Sequence, residues 1–382
     1  MEFTAERIVP GGDAFARTDA GRVVLIEGAL PGERVRVEVT TDRSELLMTR
    51  AVEILEPSPD RVEPPCPYAR AGCGGCSWQH VRYDAQPGLK HELLLDALRR
   101  IAHIDAPPLR DTITLPDLAY RTTVRALVVD GHAAFRKHHS HDPITFDTCM
   151  VAHPLVDDVL QKGDFGAATE VTVRASVATG ERSVLADPTA ITVDVPDDVV
   201  QGVSAHIHEE IDGRRFRVST RSFFQSRTDG AAALAHLVRE AVGPKKVIAD
   251  LYCGVGILGA LCETPERILA VESSRSSVAD AKVNLRGFNA HVVHADVAKL
   301  RPVPVDVVIA DPSRAGLGKQ VVKKIRDCEP QRVVLVSCDA AAMARDIALL
   351  DAAGFDLKSV TPVDMFPHTP HVECVSVLDT IH

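Results

Sequence analysis

Positive charge is in short supply. The 382-residue chain carries 43 Lys and Arg against 53 Asp and Glu, a formal net charge of −10. That argues against a general nucleic-acid binder and confines any RNA contact to local patches. A basic start followed by an apolar stretch is missing from "MEFTAERIVPGGD", so no signal peptide is expected. No apolar run approaches the roughly 20 residues of a membrane span. Internal repeats and low-complexity segments are also absent. The expectation is a monomeric cytoplasmic protein of two or three domains with no membrane partner. Disulfides are disfavoured in that compartment, so clustered cysteines point to metal binding or catalysis.

What is present falls into three regions. Residues 1–57 alternate apolar and polar positions around "PGE", as in "RVVLIEGALPGERVRVEVTTD". This pattern predicts a small antiparallel β-barrel. "EPSPDRVEPP" reads as a linker. Residues 58–225 mix a cysteine cluster, further strands and a helix at 89–104, with Leu94, Leu98 and Ile101 on one stripe. That helix belongs either to this region or against the next. From 226 to 382, apolar strands ("KVIADLY", "RILAVES", "VDVVIAD", "RVVLVSC") alternate with helical stretches. The rhythm predicts βαβ units and a parallel, Rossmann-like sheet.

"VIADLYCGVGILG" is a strand leading through a glycine turn into a helix. Gly254 and Gly256 let the backbone approach a ligand, and Glu272 at the next strand end can accept from ribose hydroxyls. The same glycines fit the dinucleotide pattern, so NAD competes with S-adenosylmethionine. Asp250 before the turn favours the second, because a carboxylate suits an amino group and repels a pyrophosphate. Asp296 after the third strand is placed to meet an adenine amino group.

Two further strand ends carry chemistry. "VVIADPSRAG" places Asp311, and "VVLVSCDAAAMARD" places Cys338, on the ligand side of the sheet. Glu373 lies 35 positions after the cysteine, before a final strand. A thiol, a carboxylate and a methyl donor together suit methylation at carbon 5 of uracil. The Cys338 thiolate is the nucleophile, Glu373 the general base, and Asp311 an orienting group.

Taken in order, "DLYCGVGILG", "DPSRAG", "VSCDAAAMARD" and "FPHTPHVECV" resemble the TrmA/RlmD (RumA) family of RNA uracil-5 methyltransferases. The N-terminal module resembles the family's TRAM domain. The resemblance implies an α/β class I methyltransferase domain behind an OB-like barrel and a central α+β iron–sulfur domain. It adds Gln225, in "FFQSRTDG", and Tyr252 and Ile257 to the S-adenosylmethionine contacts. It also implies a [4Fe–4S] cluster on Cys66, Cys73, Cys76 and the distant Cys149, in a structural role, with Cys₄ zinc as the rival. Ribosomal RNA ranks ahead of transfer RNA as partner.

Three departures from the family pattern stand out. Ser337-Cys338-Asp339-Ala340 replaces S-C-N-P, Asp311-Pro312-Ser313-Arg314 replaces D-P-P-R, and six residues instead of five separate Cys66 from Cys73. Asp339 is expected to raise the thiol's pKa. The barrel is poorly suited to phosphates, with seven basic against twelve acidic side chains in residues 1–60 and Phe3 and Phe15 its only aromatics. The RNA patches expected instead are "RRFRVSTRSFFQSR" (214–227) and "KQVVKKIR" (319–326). The rival functions are an NAD-dependent oxidoreductase and a non-catalytic RNA-binding relative.

Overall fold

The computed structural model describes residues 1–244 and 246–381. Its first unit is a six-stranded sheet built from the segment Glu2 to Glu56. Alternation along Arg34–Asp42 turns Val35 and Val37 inward. The first strand, Glu2–Thr4, comes round to Ala14–Arg17, so the sheet curls about Ala14, Val24, Ile26, Val35 and Leu47. The expected barrel is not wholly antiparallel, because Val23–Glu27 pairs parallel to Leu46–Glu56. Three of its outward arginines are already answered. Arg34 meets Glu2 at 3.0 Å and Glu56 at 2.8 Å, Arg36 meets Glu2 at 3.1 Å, and Arg50 meets Glu27 at 3.2 Å.

The second unit is a six-stranded sheet drawn from Thr123 to Gln201. The helix Pro154–Lys162 covers one face, packing Val156, Val159 and Leu160 against Val171, Val173 and Val184. The other face carries Thr123, Arg125, Thr172 and Arg174 toward the third unit.

The third unit is a seven-stranded sheet. Its strands are β1 (Val247–Leu251), β2 (Arg267–Glu272), β3 (Ala290–His294), β4 (Val307–Ala310), β5 (Arg332–Ser337), β6 (Phe355–Val363) and β7 (Glu373–Thr380). They lie in the order 3-2-1-4-5-7-6. β1 to β5 are parallel, and β7 is antiparallel to both neighbours. The chain changes direction across the sheet between β1 and β4, which opens a ligand crevice outside their carboxyl ends.

One placement differs from the sequence reading, and a second takes one of two places left open. The hairpin 206–219 shares its core with this sheet, since Ile207, Ile211, Phe216 and Val218 pack with Cys253, Ile257 and Ala281. By packing it goes with the catalytic unit, although the division at 225/226 put it in the central region. The helix Gln86–Arg100 takes the second of its two expected places, against the catalytic unit. Leu93, Leu94, Ala97 and Leu98 pack with Met343 and Ile347 of the helix Ala340–Asp351. Its buried Lys90 reaches Asp364 at 2.6 Å and the Phe366 carbonyl at 3.0 Å. Gln86 accepts from the His368 amide at 2.7 Å. The loop before Glu373 is thereby pinned from outside its own sheet. No helix among the described residues is long and apolar enough to cross a membrane.

Candidate functional site

A cleft of about 1040 Å³ opens at the carboxyl ends of β1, β2, β4 and β5, with the polar face of the central sheet as its far wall. Eight of the expected residues line it: Gln225, Tyr252, Gly254, Ile257, Glu272, Asp311, Cys338 and Glu373.

The antiparallel pairing of β5 with β7 is what joins the last two. Ser337 lies opposite Cys374, so residues 35 apart in sequence become neighbours across one rung. Glu373 is 2 % exposed. Burial, and then the facing Asp311, push its pKa well above the ordinary carboxylate value, while Arg314 opposes the rise. Asp311 is pushed up to about 7 by burial and by Asp250. The Cys338 thiol is pushed up to about 11, by burial first, then by Glu373 and Asp311. In the free enzyme the Cys338 thiol therefore holds its proton at neutral pH, and Glu373 is biased toward its protonated form.

Asp339 does not act as expected. Its Oδ1 accepts from the Ala342 amide at 2.8 Å and caps the helix Ala340–Asp351. The charges that chiefly shift Cys338 are Glu373, Asp311 and Arg314.

The turn after β1 is held from below. Tyr252, Gly254 and Gly256 all have positive φ, at 61°, 55° and 87°, and a tyrosine in that region is strained. The Gly254 amide donates to Glu272 at 3.0 Å, and the Ser274 amide donates to the same carboxylate at 2.7 Å. Asp250, 1 % exposed, accepts from the Gly259 amide at 3.0 Å. A Cβ on Gly259 would lie 2.9 Å from that carboxylate. Asp250, Gly256 and Asp296 do not line the cleft. Asp250 sits behind the turn, Gly256 caps the following helix, and the exposed Asp296 caps a short helical turn through Ala298 at 2.9 Å.

Several residues of the site went unassigned in the sequence. Arg314 is the cation that lowers both Cys338 and Glu373. His371 lines the same wall and is pushed down to about 4, chiefly by burial. Phe223 is 67 % exposed at the cleft, beside Gln225, whose amide nitrogen lies 3.5 Å from Asp311. Buried Arg174 donates to the Ser222 carbonyl at 2.8 Å. A lone Arg or His in a loop gives no periodic signal, although Arg314, His371 and Phe223 lie within the quoted motifs "DPSRAG", "FPHTPHVECV" and "FFQSRTDG".

The arginine patch at 214–227 is largely spent inside the protein. Arg227 is fully buried against Asp229 at 2.6 Å, Arg217 pairs with buried Asp280, Arg215 meets Glu181 at 2.8 Å, and Arg214 donates to the Asn284 carbonyl. Only Arg221 of the five is exposed without an ion pair among the described residues. The second patch keeps its charge outward. The helix Gly318–Asp327 buries Val321, Val322 and Ile325 and leaves Lys319, Lys323 and Arg326 exposed.

The four predicted metal ligands also converge. Cys66, Cys73, Cys76 and Cys149 line one cavity of about 550 Å³, and all are free thiols. Burial pushes Cys76 up to about 12 and raises Cys73 and Cys149, while Arg121 beside them opposes each rise.

The chain matches known families along its length. Residues 2–52 match the TRAM domain, 296–381 the tRNA (uracil-5-)-methyltransferase family, and 215–326 the methyltransferase small domain. An RNA methyltransferase of Streptomyces avermitilis is 34 % identical, over 97 % of this chain and 96 % of its own length. One from Halalkalibacterium halodurans is 31 % identical, over 99 % and 96 %. The crystal structure of Pyrococcus abyssi tRNA (uracil-54, C5)-methyltransferase with S-adenosyl-L-homocysteine covers 99 % of this chain and all of its own at a TM-score of 0.74 and 24 % identity, a likeness of fold. The expected α/β methyltransferase fold behind a TRAM domain is therefore present, and the chain belongs to the RNA uracil-5 methyltransferase family, enzymes dependent on S-adenosylmethionine.

Proposed function

We propose that this enzyme methylates carbon 5 of a uridine in RNA through a bond between Cys338 Sγ and carbon 6 of the base. The pairing of β5 with β7, which sets Cys338 beside Glu373 on one wall of the cleft, carries this reading. When bound, S-adenosylmethionine supplies the methyl group and a positive sulfonium. Cys338, as its thiolate, adds to carbon 6, and the electrons of the carbon 5–carbon 6 double bond make carbon 5 the nucleophile that takes the methyl. Glu373, as its carboxylate, removes the proton left on carbon 5. The bond to Sγ then breaks and the thiolate returns. Asp311 and Gln225 orient these groups. Tyr252, Gly254, Ile257 and Glu272 contact the cofactor from the wall, and Asp250, Gly256 and Asp296 hold the backbone behind it. Phe223, Arg221 and the helix Gly318–Asp327 face the RNA.

Glu373→Gln tests the order of steps. With RNA and S-adenosylmethionine it should accumulate a protein–RNA adduct that survives denaturing electrophoresis, and Cys338→Ala added to it should remove the adduct. Free methylated RNA from Glu373→Gln at the parent rate would contradict the role of the base.

We also propose that Cys66, Cys73, Cys76 and Cys149 hold a [4Fe–4S] cluster. No three of these sulfurs lie within 4.8 Å of one another. Tetrahedral zinc, with Zn–S near 2.3 Å, would hold its sulfurs only about 3.8 Å apart. The wider spread and the neighbouring Arg121 suit a larger, anionic centre. It would cross-link the loops around residues 66–76 and 149 and supply no electron to methyl transfer. Aerobically purified protein should be brown and contain iron, whereas a colourless protein with one zinc would overturn this assignment.

A further inference from the structure

A second group of ligating side chains lies at the rim of the cysteine cavity, which His138 and His139 also line, and uses none of the four cysteines. Glu27, on the barrel strand Val23–Glu27, meets His138 and His139 from the loop that follows the central strand His132–Arg136. One ligand atom from each of the three lies within 4.8 Å of the others, the only such group of His, Cys, Asp or Glu among the described residues. The His138 Nε2 to Glu27 Oε1 distance is 3.5 Å. Bonds of 2.0–2.2 Å to a tetrahedral zinc-type ion would place two such ligands about 3.4 Å apart, so this edge is nearly at its bound length. By the same measure the cysteine sulfurs are too spread.

The local structure aims these groups. His139 has a φ of 51°, which turns its ring back over that of His138, with centroids 3.9 Å apart. The His138 amide is fixed by the Gly72 carbonyl at 2.9 Å. Arg50 Nε holds the other oxygen of Glu27, Oε2, at 3.2 Å, and this leaves Oε1 toward the imidazoles. Such outer contacts commonly orient metal-binding carboxylates. Asp13 is a further charge near the group: burial first, then Glu27, raises its pKa, and His139 opposes the rise. His139 is exposed and the side chains of His138 and Glu27 are 34 % and 26 % exposed, so an ion can enter.

We propose that Glu27, His138 and His139 bind one divalent transition-metal ion of the zinc type, which ties the barrel to the cysteine-bearing lobe. Two imidazoles and one carboxylate suit zinc, nickel or cobalt over calcium or magnesium, which favour oxygen. The ion bridges two units of the chain, so its binding stabilises their docking.

Cobalt(II) is the probe, added to the full chain with its cysteine centre intact. We expect one equivalent bound beyond that centre, with no thiolate-to-cobalt charge-transfer band, and a rise in unfolding temperature. Glu27→Gln and His139→Ala should each weaken binding at least about tenfold and abolish the rise, while His141→Ala keeps both. Unfolding temperatures in EDTA matching the parent's establish that the variants fold. Equal cobalt affinity in the parent, Glu27→Gln and His139→Ala, or cobalt bound only through thiolate, would overturn the assignment.

Discussion

The cysteine cavity and the catalytic cleft solve opposite charge problems. Both bury groups that become anions when active, and in both burial is the largest cause of the upward pKa shifts, with neighbouring acidic groups adding to it. The cysteine cavity has a built-in answer in Arg121, whose Nε is shut off from solvent without a partner and which opposes the rise at Cys73, Cys76 and Cys149. At the reactive end of the cleft the opposing cation is Arg314, which is exposed. The buried Arg174 in the far wall is answered by Glu209 and Asp280. A permanent counter-charge suits a resident anion. Its shortage around Cys338, Asp311 and Glu373 suits a transient cation, and the sulfonium of the methyl donor is one. In the proposed mechanism the cofactor's charge favours loss of the Cys338 and Glu373 protons.

The largest effects should separate the two cavities. Cys338→Ala should cut 5-methyluridine formation by a factor on the order of 10³ or more while leaving iron content at the parent's level. Arg121→Gln should do the reverse. It should weaken retention of the centre, with a much smaller change in turnover of the protein that stays folded. Equal losses of iron and activity in both variants would erase the distinction.

The next effect follows from protonation. Cys338, at about 11, and the raised Glu373 must lose protons to act, so turnover should climb from pH 6 to pH 8, by up to about tenfold per unit. Stability should move the other way. Asp250 and Asp311 have folded pKa values of about 7, above their unfolded values. The stability they contribute is full below about pH 4 and is lost as pH rises through about 7. S-adenosylmethionine should therefore outdo S-adenosylhomocysteine in raising the unfolding temperature by a wider margin at pH 8 than at pH 6. A margin that does not change with pH would remove the cationic account of the cleft.

The smallest effect concerns Asp339. Because it caps a helix, Asp339→Asn should change turnover less than about threefold, and Asp339→Ala should cost about 1 kcal/mol of stability. A large gain in turnover from Asp339→Asn would restore it as a brake on the thiol.

Much of the fold and site was legible because it is local. The strand–turn–helix of residues 247–261 and the strand ends at Asp311 and Cys338 follow from apolar runs and glycine spacing. What was not legible depends on partners distant in sequence. The insertion of β7 between β5 and β6, the docking of Gln86–Arg100 on the helix Ala340–Asp351, and the hairpin's membership of the catalytic core all join segments whose patterns do not name their neighbours. Carboxylates at strand ends were ambiguous for a different reason. Glu272 lines the cleft while Asp250 and Asp296 serve backbone amides, yet all three look alike in sequence. The arginines at 214–227 misled similarly, because a basic run does not reveal that Asp229, Asp280 and Glu181 will meet it.

The most direct measurement is nucleoside analysis. Unmodified ribosomal and transfer RNA transcripts would be incubated with the enzyme and S-adenosylmethionine, digested, and searched for 5-methyluridine by mass spectrometry, with Cys338→Ala in parallel. The account predicts 5-methyluridine in one transcript class and none from the variant. The same product from Cys338→Ala, or cofactor binding with methyl transfer to an atom other than carbon 5, would contradict it.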